Sequence, residues 1–325
     1  MAKILITGGT GFIGAHLTDK LISKGHKVLV VDTLKSLGGI HHINKKGKFI
    51  KGDIKENSVI KKVKKWGPNI IYHLAAQSAG ESAYDDPKSD LLTNAYGTYL
   101  LAELAKKIKV KLFIYASTVA IYGSNKNLIT EDTKIQPDSI YGVSKFTGEM
   151  YVKQLLENSS TKYINFRIFN TYGPGENLNF LKKGIVSIYS SYVWRNKPIT
   201  VKGSLYRFRD LTYIEDCINI LVKAISIKLK KNQTFNLSSG KTYLVKNIIK
   251  TILKVNNLKN YKILVKKGTP GDSFGFHTSN EKLKRTFKYK RFFSLEEGLQ
   301  RYFKWIKSLP KSRIIKKHHP LNKKY

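Results

Sequence analysis

Near its start the chain passes from a short apolar run, Lys3–Thr7, through Gly8-Gly9-Thr10-Gly11-Phe12-Ile13-Gly14 into Phe12–Lys24, whose apolar residues recur at helical spacing. A second apolar run, Lys27–Val31, follows and ends at Asp32. Strand, glycine turn, helix, strand and terminal acid in that order make a βαβ unit with a phosphate-binding turn. Gly8 permits the turn, Gly11 lets the backbone approach a pyrophosphate, and Gly14 lets helix and strand pack closely. The first turn of the helix offers unpaired N–H groups and a partial positive charge to phosphate. A carboxylate at Asp32 accepts hydrogen bonds from both adenosine-ribose hydroxyls and repels a 2′-phosphate, which favours NAD over NADP.

Further apolar runs at Lys48–Lys51, Asn69–Leu74, Lys111–Ala116 and Tyr163–Ile168 read as strands. Helical patterns lie between them near Ser58–Lys65, Leu91–Lys107 and Ser139–Leu156. Strands apolar on both faces, joined by helical crossovers, predict an α/β fold with a Rossmann-type doubly wound parallel sheet. After Asn170 the texture changes. Helices are expected at Ile185–Trp194, Cys217–Ile227, Tyr243–Leu253 and Leu295–Ile306, with a strand at Ile199–Val201, which makes a smaller C-terminal α/β domain.

Composition removes several classes of function. Cys217 is the sole cysteine, so neither an internal disulfide nor a multi-cysteine metal site can form. The eight histidines lack HExxH-type spacing, and no metal is expected. No apolar run approaches the ~18 residues of a membrane span, and the opening Met-Ala-Lys-Ile-Leu-Ile lacks the pattern of a secretory signal. A cytoplasmic address without a membrane partner is expected. The formal charge is +37, from 59 Lys+Arg against 22 Asp+Glu. Its lysines are dispersed instead of clustered, so no specific nucleic-acid partner is expected.

Tyr141 and Lys145 stand four residues apart on a helical pattern, so a phenol and an ammonium share one face. A tyrosine pKa near 10 is too high for a base at neutral pH, and a nearby ammonium favours the phenolate. With the Gly8-x-x-Gly11-x-x-Gly14 spacing, this pair resembles the extended short-chain dehydrogenases/reductases, in particular the NAD-dependent nucleotide-sugar epimerases and dehydratases. Gly52-Asp53-Ile54, Leu74-Ala75-Ala76-Gln77 and Asn94-Ala95-Tyr96-Gly97-Thr98 match further motifs of that family in order. The resemblance implies an NAD site formed by Gly8, Gly11, Phe12, Ile13, Gly14, Asp32, Asp53, Ile54, Leu74, Ala75, Ala76, Asn94, Ser117, Tyr141, Lys145, Ile168 and Phe169. It places the catalytic hydroxyl at Thr118, by alignment of Ile121-Tyr122-Gly123, with Ser117 as the neighbouring candidate.

The same resemblance divides the chain into an NAD-binding unit (1–166 with about 207–228), a nucleotide-sugar unit (about 167–206 and 229–308) and a basic tail (309–325). It implies substrate contacts from Thr118, Asn170, Arg209 and Phe276, and a homodimer formed through Leu91–Lys107 and Ser139–Leu156. In the 4,6-dehydratases an Asp-Glu pair follows the catalytic Thr; Val119 and Ala120 stand there in this chain and cannot transfer protons. What remains is removal and return of a hydride at C4 through a transient 4-keto sugar, as in UDP-glucose 4-epimerases. The rival readings are a dehydratase or net oxidoreductase of the family, and a non-catalytic NAD-binding protein. Two positions depart from the epimerase pattern. Thr269 replaces an Arg and Gly184 an Asn, leaving Lys202, Arg207, Lys266 and Lys267 as candidate sources of phosphate-binding charge.

Overall fold

The computed structural model describes residues 1–35, 42–125, 127–268 and 274–310. Thr269, the Gly271-Asp272 pair and the tail from 311 onward lie outside the described residues.

Strand β1 (Lys3–Thr7) is buried except at Lys3. Ile4 and Ile6 pack into one apolar cluster with Val28 and Val30, while Leu5 points into another with Leu29 and Val31. A strand covered on both faces must be apolar at every position, hence the unbroken run in the sequence. β1 pairs in parallel with β2 (Lys27–Asp32) on one side and β4 (Ile70–His73) on the other. β3 (Lys48–Lys51) extends the sheet beyond β2, and β5 (Leu112–Thr118) follows β4. Lys162–Ile168 and then Gln233–Leu237 complete seven strands, all parallel. Helices α1 (Phe12–Ser23) and Ile214–Lys223 cover one face; Asn57–Trp66, Gly97–Lys107 and Ile140–Leu156 cover the other.

The chain winds outward from β1 toward β3, then restarts at β4 and winds the other way. Such a reversal opens a crevice at the carboxyl ends of the central strands, where ligands of doubly wound sheets bind. The glycine loop leaves β1 at that crevice, Leu74–Gln77 leaves β4, and Thr118 ends β5. Beyond the large sheet lie a three-stranded sheet (Asn170–Tyr172, Phe208–Tyr213, Thr242–Leu244) and a two-stranded one (Ile199–Lys202, Ile263–Lys266). Helices Ile185–Trp194, Val245–Val255 and Leu295–Ser308 pack with them.

Three details differ from the sequence reading. Gln233–Leu237, placed by that reading in the second unit, forms the edge of the large sheet, with Phe235 beside Phe166 in the core. The helix expected at Leu91–Lys107 is interrupted by a π turn, Leu92–Tyr96, between Pro87–Leu91 and Gly97–Lys107. A π turn admits one extra residue per turn and often marks a functional site; this one carries Asn94. Tyr243 sits on a strand paired antiparallel with Phe208–Asp210, so the following helix starts at Val245. Among the described residues no helix is long and apolar enough to cross a membrane, and no group of three or more His, Cys, Asp and Glu could hold a metal.

Candidate active site

The glycine loop is built by close approach. Gly8 has φ +70°, and a Cβ there would lie 2.7 Å from the Ala75 nitrogen. A Cβ at Gly14 would lie 2.1 Å from the Gly8 carbonyl oxygen, so α1 can rest on the loop only without a side chain. Gly11 differs: a Cβ there would meet only the Gly8 oxygen, at 3.5 Å, so the protein itself does not fill that side. Gly11 is also the N-cap of α1 and supplies no side-chain cap, leaving the first N–H groups available to an anion. Phe12 and Ile13 open the helix and pack against the core below.

Asp32 ends β2 in the same crevice, buried, and accepts hydrogen bonds from the N–H groups of Thr10 (3.1 Å) and Leu34 (2.8 Å). These fix the carboxylate and leave lone pairs for two further donors. Asp53 is half-buried and pairs with Lys55 at 3.0 Å. Ile54, behind it, packs on Gly97. Leu74 and Ala75 hydrogen bond to Thr7 and close over Gly8. Asn94 is fully buried. Its Oδ1 accepts from the Gln77 N–H, and its Nδ2 donates to the Gln77 carbonyl, Asp90 Oδ1 and Ser144 Oγ, all at 2.9–3.1 Å. Its amide therefore ties the β4 loop to the helix of Tyr141.

That helix, Ile140–Leu156, is capped by Ser139, whose hydroxyl accepts from the Gly142 N–H at 3.1 Å. The Thr118 hydroxyl acts on the Tyr141 phenol in the direction that favours its ionised form. Ser117 is buried, and its hydroxyl has no hydrogen-bond partner among the described residues. Lys145 is 2% exposed, its ammonium 4.3 Å from the centre of the Tyr115 ring.

The electrostatics of the protein alone run against the simple expectation for this pair. Burial pushes the Tyr141 phenol up to about 12, with the Thr118 hydrogen bond pulling it back and the Asp90 carboxylate adding to the rise. Burial also brings Lys145 down to about 7, with Glu149 and Asp90 opposing and Lys183 assisting. A low-dielectric site penalises phenolate and ammonium alike, so each group favours its neutral form until further charge or hydrogen bonding arrives. Glu149 is itself committed. It forms a two-point ion pair with Arg167 (3.0 and 3.1 Å), and Arg167 also donates to the Tyr122 phenol and the Glu131 carbonyl.

On the other side of the crevice, Ile168 ends the strand beside Thr118, in register with it. Phe169 and Phe276 share an apolar cluster with Val119 and Ile121. Val119 is thus part of a dry wall, and the Ala120 N–H is spent on the Thr118 hydroxyl (3.2 Å). Asn170 Nδ2 donates to the Asp210 carbonyl at 3.3 Å. Arg209 is buried and donates to the carbonyls of Phe208 and Phe274. Gly184 has φ +82°, and a Cβ there would fall 2.7 Å from Glu176 Oε1, so this backbone admits no asparagine without rearrangement. Lys202 and Lys266 stand side by side in paired strands, and Arg207 donates to the Lys202 carbonyl. Lys202 also pairs with Glu81 at 3.2 Å. Sequence reasoning missed Asp90, Glu149, Tyr115 and His16; the last donates from Nε2 to the Pro174 carbonyl at 2.7 Å and holds that loop to α1.

A Rossmann-type sheet with a Thr, Tyr and Lys gathered at its crevice defines an enzyme of the short-chain dehydrogenase/reductase type. The model of the NAD dependent epimerase/dehydratase family matches residues 4–238, and the chain belongs to that family. It is 28% identical over 307 residues to a putative UDP-glucose 4-epimerase of Methanocaldococcus jannaschii, covering 94% of this chain and 98% of that one. The fold superposes on UDP-glucose 4-epimerase of Thermotoga maritima, solved with UDP-glucose, at a TM-score of 0.88 with 30% identity over 94% of this chain and 98% of that one. It also superposes on UDP-glucuronic acid 4-epimerase of Bacillus cereus, solved with UDP-glucuronic acid and NAD, at 0.86 with 27% identity over 94% and 99%. The cofactor is NAD. The residues present fit it: Gly11 leaves the loop open beside an uncapped helix start, and Asp32 keeps free acceptor positions at the end of β2.

Proposed function

We propose that the protein epimerises a nucleotide-activated hexose at C4, with a UDP-hexose as substrate. The observation that carries this reading is the composition of the wall after Thr118. The Thr118 hydroxyl acts on the Tyr141 phenol and Lys145 is one helical turn from Tyr141, yet Val119 is packed among Ile121, Phe169 and Phe276 and Ala120 offers only backbone. Elimination of water needs an acid and a base beside C5 and C6, and that wall holds neither. Epimerisation needs one group that takes a proton from the 4-hydroxyl and gives it back.

NAD, when bound, supplies the hydride acceptor and donor. The glycine loop and the start of α1 would hold its phosphates, Asp32 its adenosine ribose and Lys145 its nicotinamide ribose. The Thr118 hydroxyl holds the sugar O4, and Tyr141, as the phenolate that the positive charge of a bound nicotinamide would favour, takes the O4 proton while the C4 hydrogen leaves as hydride, giving a 4-keto sugar. After the sugar turns over, Tyr141 returns the proton to O4 on the other face. The apolar Phe169–Phe276–Val119 wall keeps water from the ketone. The relatives named above act on UDP-sugars, which supports uridine as the base.

Incubation with UDP-, dTDP-, GDP- and CDP-hexoses, followed by proton NMR, tests the proposal. Inversion at C4 of a UDP-hexose with no loss of water is expected; a 4-keto-6-deoxy product or released NADH would overturn it.

We further propose that two copies associate through the outer face of the helical layer. Leu91, Tyr96, Val143, Met150 and Tyr151 are exposed there, and Tyr99 lies between Tyr96, on which it stacks, and Tyr151, which it meets at a tilt. A row of large apolar side chains on one face is characteristic of an interface. Sedimentation equilibrium is expected to give twice the chain mass; a monomer at micromolar concentration would refute it.

A further inference from the structure

His73 closes β4 with its imidazole fully buried and a hydrogen bond at each ring nitrogen. Nδ1 meets the Thr7 hydroxyl of β1 at 2.7 Å, and Nε2 meets the Thr98 hydroxyl of the helix Gly97–Lys107 at 2.9 Å. The protons follow by elimination. The Thr98 hydroxyl gives its one proton to the Asn94 carbonyl (2.5 Å), which can only accept, so Nε2 carries the hydrogen of its own bond. Burial holds the ring neutral, so Nδ1 is bare and accepts from the Thr7 hydroxyl. The Thr7 oxygen in turn accepts from the Ala75 N–H at 3.3 Å. β1 and the helix Gly97–Lys107 thus face His73 with threonine hydroxyls. β5 faces it with Phe113 and Tyr115, and Lys145 lies beyond Tyr115. Asp90 is reached through Asn94.

One line of hydrogen bonds therefore runs from the Ala75 N–H through Thr7, His73 and Thr98 to the Asn94 carbonyl, and both of its ends lie at the site. The loop Leu74–Gln77 leaves β4 at the crevice, held at Ala75 by Thr7 and at Gln77 by Asn94 Oδ1 (2.9 Å). The helix Ile140–Leu156 seats at the other end. A Cβ at Gly148 would lie 3.1 Å from the Asn94 carbonyl oxygen and 2.3 Å from the Tyr115 hydroxyl. Tyr115 faces His73 ring to ring at 5.6 Å, lies 4.3 Å from the Lys145 ammonium and donates to the Lys145 carbonyl at 3.2 Å.

We infer that His73 is a positioning residue: with Nε2–H as donor and Nδ1 as acceptor, it sets the loop Leu74–Gln77 against the helix of Tyr141 and Lys145. The inference rests on the proposed roles of those two residues. His73 acts through its neighbours and not on the substrate. The opposite tautomer would set two lone pairs against each other at Thr98, and a protonated ring would turn the Thr7 hydroxyl away. Either breaks the line and frees the loop to shift relative to the phenol. Chemistry is steep in alignment, a misplacement of about 1 Å costing on the order of 10²-fold.

The test uses the full chain loaded with NAD. His73→Phe keeps a ring beside Tyr115 and cuts both hydrogen bonds; kcat with a UDP-hexose is expected to fall by about 10²-fold, with KM within about two-fold. His73→Gln, whose amide carries a donor and an acceptor side by side, should recover most of that loss. A fall smaller than about ten-fold in His73→Phe would overturn the inference, as would His73→Gln behaving like His73→Phe. Should neither variant fold, or the epimerase reading fail, imidazole 15N spectra of the unmodified protein decide, with His73 assigned through its contact with the Tyr115 ring. At about pH 5.5 an ordinary imidazole is mostly protonated, whereas His73 should show a hydrogen on Nε2 and a bare Nδ1. An imidazolium, or a hydrogen on Nδ1 alone, would overturn the inference. The spectra need no turnover, so the inference stands or falls apart from the epimerase reading, which Tyr141→Phe tests.

Discussion

Tyr141→Phe is expected to lower turnover by about 10³-fold while leaving NAD content unchanged, a loss on the scale of a removed general acid–base group. On the proposed mechanism the phenol oxygen carries the O4 proton, so its removal takes away that proton carrier. The ring keeps its volume, so packing on the half-buried helix face is retained. NAD released by denaturing the purified variant, measured against the parent, separates chemistry from binding. Turnover within ten-fold of the parent would remove Tyr141 from the mechanism. So would a variant that loses its NAD, because the phenol would then be a binding group.

The largest effect on stability is expected at the ion pair behind the site. Glu149 and Arg167 have side chains only 6% exposed each and meet through two hydrogen bonds. Removing one member of such a pair leaves the other charged and buried, a loss of about 3–5 kcal/mol. Glu149→Gln would leave Arg167 with the Tyr122 phenol and the Glu131 carbonyl as its remaining partners. Urea unfolding should show that loss in Glu149→Gln, with most of it recovered when Arg167→Met is added, since apolar pairs often replace buried ion pairs at little cost. A loss below about 1 kcal/mol would mean that water or a shifted side chain compensates the guanidinium. The pair joins the catalytic helix to the strand Lys162–Ile168, so the single variant should also weaken NAD retention.

Features that one local pattern imposes were legible before any coordinates. The glycines at 8, 11 and 14 are demanded by backbone crowding within a single turn, and the Tyr141–Lys145 spacing follows from helical periodicity. The seven-stranded sheet was legible up to its edge, because its strands are apolar on both faces. The edge strand Gln233–Leu237 was not, since it joins the sheet across a long excursion and its neighbours in sequence belong elsewhere. Thr118 was placed ahead of its neighbour Ser117 by the resemblance and not by pattern, since consecutive strand residues face opposite sides and packing decides which side lines the crevice. Asp90 escaped for a similar reason. It lies on a short helix with nothing unusual around it, and only the packing of the helix Ile140–Leu156 against that helix buries its carboxylate. Charge had a further effect hidden from the sequence, because burial moves Tyr141 and Lys145 by more than their proximity suggests.

The helix Ile140–Leu156 presents Tyr141, Lys145 and Glu149 inward and Val143, Met150 and Tyr151 outward. A rod gripped on both sides transmits what happens at either. On the proposed pairing of copies, dilution that parts them would strip the outer grip and loosen the rotamers of the inner residues. Chain concentration itself then becomes an effector of catalysis, with no allosteric ligand required.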